Sequence, residues 1–189
     1  MKFIKAMTAN LLLAALPLAS HAEEMSYSFV DLGYVETDID GLGPTADGFA
    51  LRGSIGFAEH YFAFAEYSSQ SVSGVDLDQT TVGLGGHYGL SDKLDLVGRT
   101  GWFKAKASGF GVSFDDDGYL VSAGLRGKVG ESVELEGSVI YTDLGGSGGD
   151  DTAVAVGGRY FFTRNFAVGA EYQKGSDAST ILAGVRYSF

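Results

Sequence analysis

The chain has no cysteine and, over 189 residues, only two prolines. The first absence excludes disulfide staples, thiolate metal sites and cysteine nucleophiles. The second removes the residue that breaks β-ladders, since Pro17 lies in an apolar N-terminal stretch and Pro44 alone remains for the rest. Basic side chains are scarce too, 13 against 24 acidic ones for a formal charge of −11. A chain this acidic offers no face for a phosphate backbone, which excludes nucleic acid as a partner. Also missing is the run of about 20 apolar residues that a membrane-spanning helix needs. Past residue 25 no helical period replaces it. Composition nowhere shifts abruptly, so the length reads as one domain.

What is present begins with a short leader. Lys2 and Lys5 precede the apolar run "LLLAALPLA", and Ser20, His21 and Ala22 put small residues where a signal peptidase reads. Residues 1–22 are therefore expected to be a cleaved secretory signal, and residues 23–189 a single domain. Without that segment, which holds two lysines and no acid, 11 basic residues face 24 acidic ones. Glycine is abundant, 29 residues, which suits turns and close side-chain packing in sheets.

The body of the chain alternates with a period of two. In "GFALRGSIGF", Phe49, Leu51, Ile55 and Phe57 share one face while Gly48, Ala50, Arg52, Ser54 and Gly56 share the other. The same division recurs in "TTVGLGGHY", "YLVSAGLRGKV", "VELEGSVIY", "AVAVGGRYF" and the closing "ILAGVRYSF". Ten such segments are predicted as strands, at 26–37, 47–58, 61–70, 78–89, 94–104, 117–129, 133–143, 152–162, 166–174 and 180–189. Their links alternate between short ("AEH", "LSDK", "GES", "TRN") and longer, glycine-rich and acidic ("SVSGVDL", "KASGFGVSFDD", "LGGSGGDD"). Short turns at one end and long loops at the other describe a transmembrane β-barrel, the loops outside and the turns in the periplasm.

A soluble β-sandwich also alternates, but its apolar face has no reason to carry aromatic borders. Here the apolar face has two. Phe57, Tyr61, Tyr88, Tyr160, Phe162 and Phe166 fall near the short-turn end; Tyr34, Phe49, Tyr67, Trp102, Tyr119, Tyr141 and Tyr172 fall near the loop end. Amphipathic rings gather in this way at the two membrane–water interfaces. The fold class expected is all-β, a transmembrane antiparallel up-and-down barrel of ten strands, with eight as the fallback. Its last strand must pair with its first, because an open edge in lipid leaves backbone groups without partners.

On these residues the sequence resembles the small bacterial outer-membrane β-barrels of the OmpA/OmpX-like type, including a branch once named as a quorum factor. "SYSFVDLGYVETDIDG" and "FDDDGYLVSAGLRG" carry the closer resemblance. Many members of that group have eight strands, and the ten read here depart from them. The resemblance implies that Phe189, Tyr187 and Val185 form the C-terminal signal read by the barrel-assembly machinery. It also implies periplasmic chaperones during biogenesis, outer-membrane lipid and lipopolysaccharide as surroundings, and a monomer in the outer membrane.

The polar face carries ionisable residues about once per strand: Asp31, Arg52, Glu66, His87, Arg99, Arg126, Glu136, Arg159, Glu171 and Arg186. Buried charges must be paired or hydrated, so these are expected to form an ion-pair network filling the barrel interior. Inward glycines at 56, 83, 85, 101, 124, 157, 169 and 184 are expected to leave volume for water, which keeps a narrow porin passing small solutes as the alternative. Enzymatic chemistry is not expected. His60 falls in a short turn, His87 aligns with the charged layer, and no serine stands beside either for activation. The "DIDG" at Asp38 lacks the glutamate of a calcium loop, having Phe49 at its twelfth position, so neither metal nor cofactor is expected. The function read is non-enzymatic: a structural or surface-interaction barrel of the envelope with acidic loops outside.

Overall fold

The computed structural model describes residues 25–41, 43–145 and 149–189; the expected signal segment lies outside them. Ten antiparallel strands follow one another: β1 (Phe29–Ile39), β2 (Ala46–Ala58), β3 (Tyr61–Val72), β4 (Val75–Ser91), β5 (Leu94–Gly109), β6 (Val112–Val129), β7 (Val133–Leu144), β8 (Gly149–Phe161), β9 (Phe166–Lys174) and β10 (Ala178–Ser188). Each pairs with the next, and β1 pairs with β10, so the sheet closes into a barrel. Ten strands, not the fallback of eight, form the cylinder. The β1–β10 seam runs unbroken from Phe29 opposite Ser188 to Ile39 opposite Ala178. Closure leaves no unpaired ladder edge within the wall, which is the condition for a sheet to sit in lipid.

The expected loops differ in form. Stretches read as links between β3 and β4 and between β5 and β6 are instead strand. These hairpins reverse over only two residues, Ser73-Gly74 and Phe110-Gly111. All four have positive φ, at 51°, 81°, 52° and 78°, the type I′ conformation whose twist matches the flanking strands. Charge complementarity extends the ladders past the belt. Asp78 stands opposite Lys106 and Lys104 opposite Asp117, opposite signs across a pair. The ammonium of Lys104 also bonds Asp115, which holds that carboxyl below its usual range.

The two faces of the wall are inverted relative to a water-soluble protein. Outward-facing Leu32 and Ile55 are 55% and 56% exposed, whereas inward-facing Arg52 and Arg126 are 2% and 0% exposed. Phe57, Tyr88, Tyr160 and Phe162 stand exposed around the turn end; Tyr34, Tyr67, Trp102, Tyr119 and Tyr172 do so around the loop end, with Tyr141 half-buried beside Tyr119. Three loop-end rings turn their polar tips toward carboxylates. Tyr67 donates to Asp78 at 3.1 Å, Trp102 to Asp117 at 3.0 Å and Tyr119 to Asp143 at 3.1 Å. An apolar body with a wet edge is the property that suits an aromatic to an interface.

Inside, two of the glycines expected to leave volume for water make room for aromatic rings instead. A methyl group on Gly83 would lie 2.7 Å from the Phe64 ring, and one on Gly85 would overlap Phe62, because those rings fill the space the glycines vacate. Phe62, Phe64, Phe103, Leu120 and Ile140 form a buried cluster along the lumen wall. A second cluster, Ile39, Ala46, Leu77 and Ala178 with Val72, Val75 and Ala107 against it, lies at the loop end. Gly85→Leu is expected to destabilise the barrel by about 1–3 kcal/mol through overpacking against Phe62. Adding Phe62→Ala should recover part of that loss; chemical unfolding followed by Trp102 fluorescence measures both, and strictly additive losses would show that the two sites do not share the space.

Candidate functional site

The lumen is the one place where this sequence concentrates polar chemistry away from solvent. Alternation puts the charged positions inward, and their places near the turn-side ends of the strands gather them in one half of the barrel. At the seam, Asp31 of β1 faces Arg186 of β10 in direct register and accepts from it twice, through Nε at 2.6 Å and through the Nη2 nitrogen. Arg52 of β2 reaches across the interior to Glu171 of β9, with two bonds at 3.1 and 3.4 Å. These strands are not neighbours in the wall. The pair therefore bridges the bore.

On the other side, Arg99 of β5 lies 3.7 Å from Glu66 of β3 and 3.5 Å from Glu136 of β7. Arg159 of β8 donates to Glu134 at 2.9 Å and to Glu136 at 3.0 Å, and Arg126 of β6 also pairs with Glu134. His87 points Nδ1 at Asp95, 3.4 Å away. All ten residues read from the sequence as interior charges thus face the lumen. Alternation also holds the guanidinium planes against aromatic faces. Arg186 lies 4.3 Å from the Phe29 ring centre, Arg126 5.4 Å from Tyr27 and Arg99 5.5 Å from Phe64. Stacked and doubly hydrogen-bonded arginine is the form in which a buried cation is best tolerated.

Three members of this assembly escape a count of one charge per strand. Glu134 and Asp95 share inward parity with Glu136 and Arg99, two and four positions away on the same strands. Alternation alone identifies both. Tyr27 precedes β1 and is fully buried in the turn-end mouth. Its ring stacks on His87 at 3.9 Å and on Phe62 at 4.9 Å, its hydroxyl donates to Asp95 at 2.7 Å, and Ser54 fixes its carbonyl at 2.9 Å. The parity it shares with Phe29 and Asp31 was the signal that could have found it.

Above the charges lies a band of uncharged polar side chains, including Thr37 and Thr180, whose hydroxyls meet 3.0 Å apart across the seam. His60 lies exposed in the turn between β2 and β3. Val185, Tyr187 and Phe189 share the outward face, with Tyr187 stacked between Phe166 and Phe189. In the described lumen a cavity of about 30 Å3 adjoins Asp31, Arg52, Arg159, Glu171 and Arg186. The loop-end acids, Asp115 to Asp117 among them, lie outside the bore on exposed hairpin.

Removing one partner from a buried pair strands the other, at a typical cost of about 3–5 kcal/mol. Arg126→Ala is expected at or below the lower end of that range, because Glu134 keeps Arg159. A fall in the unfolding midpoint measures it, and an unchanged midpoint would show that Arg126 is not part of a coupled network. Replacing Arg52 and Glu171 together by methionine should be far milder than either single change, since no charge is left unpaired.

No family model matches the sequence, and comparison with curated proteins gives no match. Among solved structures, the NanC porin superposes with a TM-score of 0.56 at 9% identity, covering 86% of this chain and all of that one. The KdgM porin in complex with disordered oligogalacturonate gives 0.48 at 15% identity, over 86% of this chain and 99% of that one. Ail, the attachment invasion locus protein of Yersinia pestis, gives 0.42 at 18% identity, over 86% and 97%. At these identities the likeness is one of fold. The NanC superposition agrees with the fold; the closed wall, apolar exterior and two aromatic borders are those of a β-barrel set in the bacterial outer membrane.

Proposed function

We propose that this protein is a closed, non-enzymatic barrel that works in the envelope through its exterior and its outer hairpins rather than through its bore. One observation carries the reading: the lumen is filled along its length. Tyr27, Phe29 and Phe62 are buried at the turn-end mouth, the arginine–carboxylate network lies across the middle, and Ile39, Leu77, Thr180 and Gln173 are buried toward the loop end. The cavity beside the seam has room for one or two water-sized particles, not for a hydrated solute. Most of the lumen's charged groups are paired with one another, as a structural network requires.

The β5–β6 hairpin is the part best suited to outside contact. Phe110, Val112 and Phe114 are all exposed near its tip, with Asp115, Asp116 and Asp117 below them. Lipopolysaccharide is the natural neighbour of these carboxylates, with divalent cations shared between the two anionic surfaces. During biogenesis, Val185, Tyr187 and Phe189 supply the outward-facing strip for the barrel-assembly machinery, after delivery by periplasmic chaperones, and the mature barrel acts as a monomer.

The refolded protein, verified by its heat-dependent gel mobility, is expected to give no discrete conductance steps in a planar bilayer. Reproducible steps would replace this reading with that of a narrow porin. Shortening the segment 105–116 should leave the folded barrel intact while reducing adsorption of cells or vesicles to external surfaces by an order of magnitude. Unchanged adsorption would move the interaction elsewhere.

A further inference from the structure

We propose that the cavity beside the β1–β10 seam is a binding site for one halide-sized anion, held by Arg52 and Arg186. Guanidinium groups outnumber carboxylates here: Arg52, Arg159 and Arg186 against Asp31 and Glu171. The hydrogen bonding sharpens the imbalance. Both oxygens of Asp31 accept from Arg186, both oxygens of Glu171 accept from Arg52, and Arg159 directs its two Nη nitrogens away to Glu134 and Glu136. Two donors remain, Arg52 Nε and Arg186 Nη1, on side chains 2% and 3% exposed and with no acceptor among the described residues.

What this site lacks is therefore an acceptor. A halide supplies acceptance alone, to both nitrogens at once. The volume of about 30 Å3 suits a single small ion and excludes polyatomic anions such as gluconate. Gly169 and Gly184 line one wall and send no side chain into the space. Of the lumen's other carboxylates, Glu134 and Glu136 bond Arg159, Asp95 is hydrogen-bonded by Tyr27 and faces His87, and Glu66, opposite Arg52 in register, lies toward Arg99. A closed barrel and a conducting one would hold the ion alike.

The test is diffraction from crystals of the folded protein grown in sodium bromide, recorded at the bromine edge. An anomalous peak is expected between Arg52 Nε and Arg186 Nη1. In solution, the unfolding temperature should rise by several degrees from sodium gluconate to sodium bromide or chloride at matched ionic strength, with the logarithmic concentration dependence of a ligand that binds only the folded state. Arg52→Lys keeps the charge but removes Nε, and should abolish that halide dependence. Non-anomalous density in the cavity, or equal stability in gluconate and halide, would mean that water fills it and would overturn the proposal. If the Arg52→Lys variant does not fold, the wild-type bromide map decides the question alone.

Discussion

Within a bilayer no water reaches the backbone, so each N–H and C=O must find its partner inside the protein. That constraint fixes most of this molecule. A sheet satisfies it only by closing, so β1 must lie along β10 in a ladder eleven residue pairs long. Closing in turn forces every strand to show one face to lipid and one to a narrow interior. Leu32 and Ile55 are exposed and Arg52 and Arg126 buried for the same reason: period two leaves each strand no other arrangement.

The interior then poses a second problem, since a bore of ten strands is wider than alternating small residues can fill. Two materials fill it here. Long arginines span it, as Arg52 does to Glu171, and their fixed fork geometry makes the span specific. Aromatic rings occupy the rest, lying where facing glycines let them approach, as Phe62 does over Gly85. The two are coupled, because Arg99 and Arg126 lie over the faces of Phe64 and Tyr27. Charge and apolar packing are here one structure, and neither would fill the bore alone.

Strand number, the turn-side strand limits and facing were legible because alternation is a local property. The charged layer was legible for the same reason, down to Asp31, Arg52 and Arg186. Which charge meets which was not. Arg52–Glu171 and Glu66–Arg99 join strands that are not adjacent, and only the radius and tilt of the closed barrel decide such contacts. Glu134, Asp95 and Tyr27 carried the right parity but were hidden by a rule of one charge per strand. Two of the glycines misled for a related reason: a missing side chain shows that something approaches closely, and Phe62 and Phe64 occupy the room at Gly85 and Gly83, whereas Gly169 and Gly184 line the cavity beside the seam. The outer hairpins looked like loops because their composition is glycine-rich and acidic. Facing lysines and aspartates on β4, β5 and β6 keep them paired as strands.

One ladder differs from all the others in its connectivity. Nine of the ten interfaces join strands that follow one another in sequence, whereas the seam joins residues as far apart as Asp31 and Arg186. A hairpin whose strands separate is still tethered by its turn and re-forms by a short search. The seam has no such tether, and its register rests on contacts between the two strands themselves, among them the Asp31–Arg186 pair, Arg186 over Phe29, Val35 clustered with Leu182 and the Thr37–Thr180 contact. Opening the cylinder there leaves every hairpin whole but frees two strand edges at once. The wall is therefore mechanically uneven: it behaves as a ribbon of nine hinged joints fastened at one clasp, and the clasp sets how long the barrel stays shut.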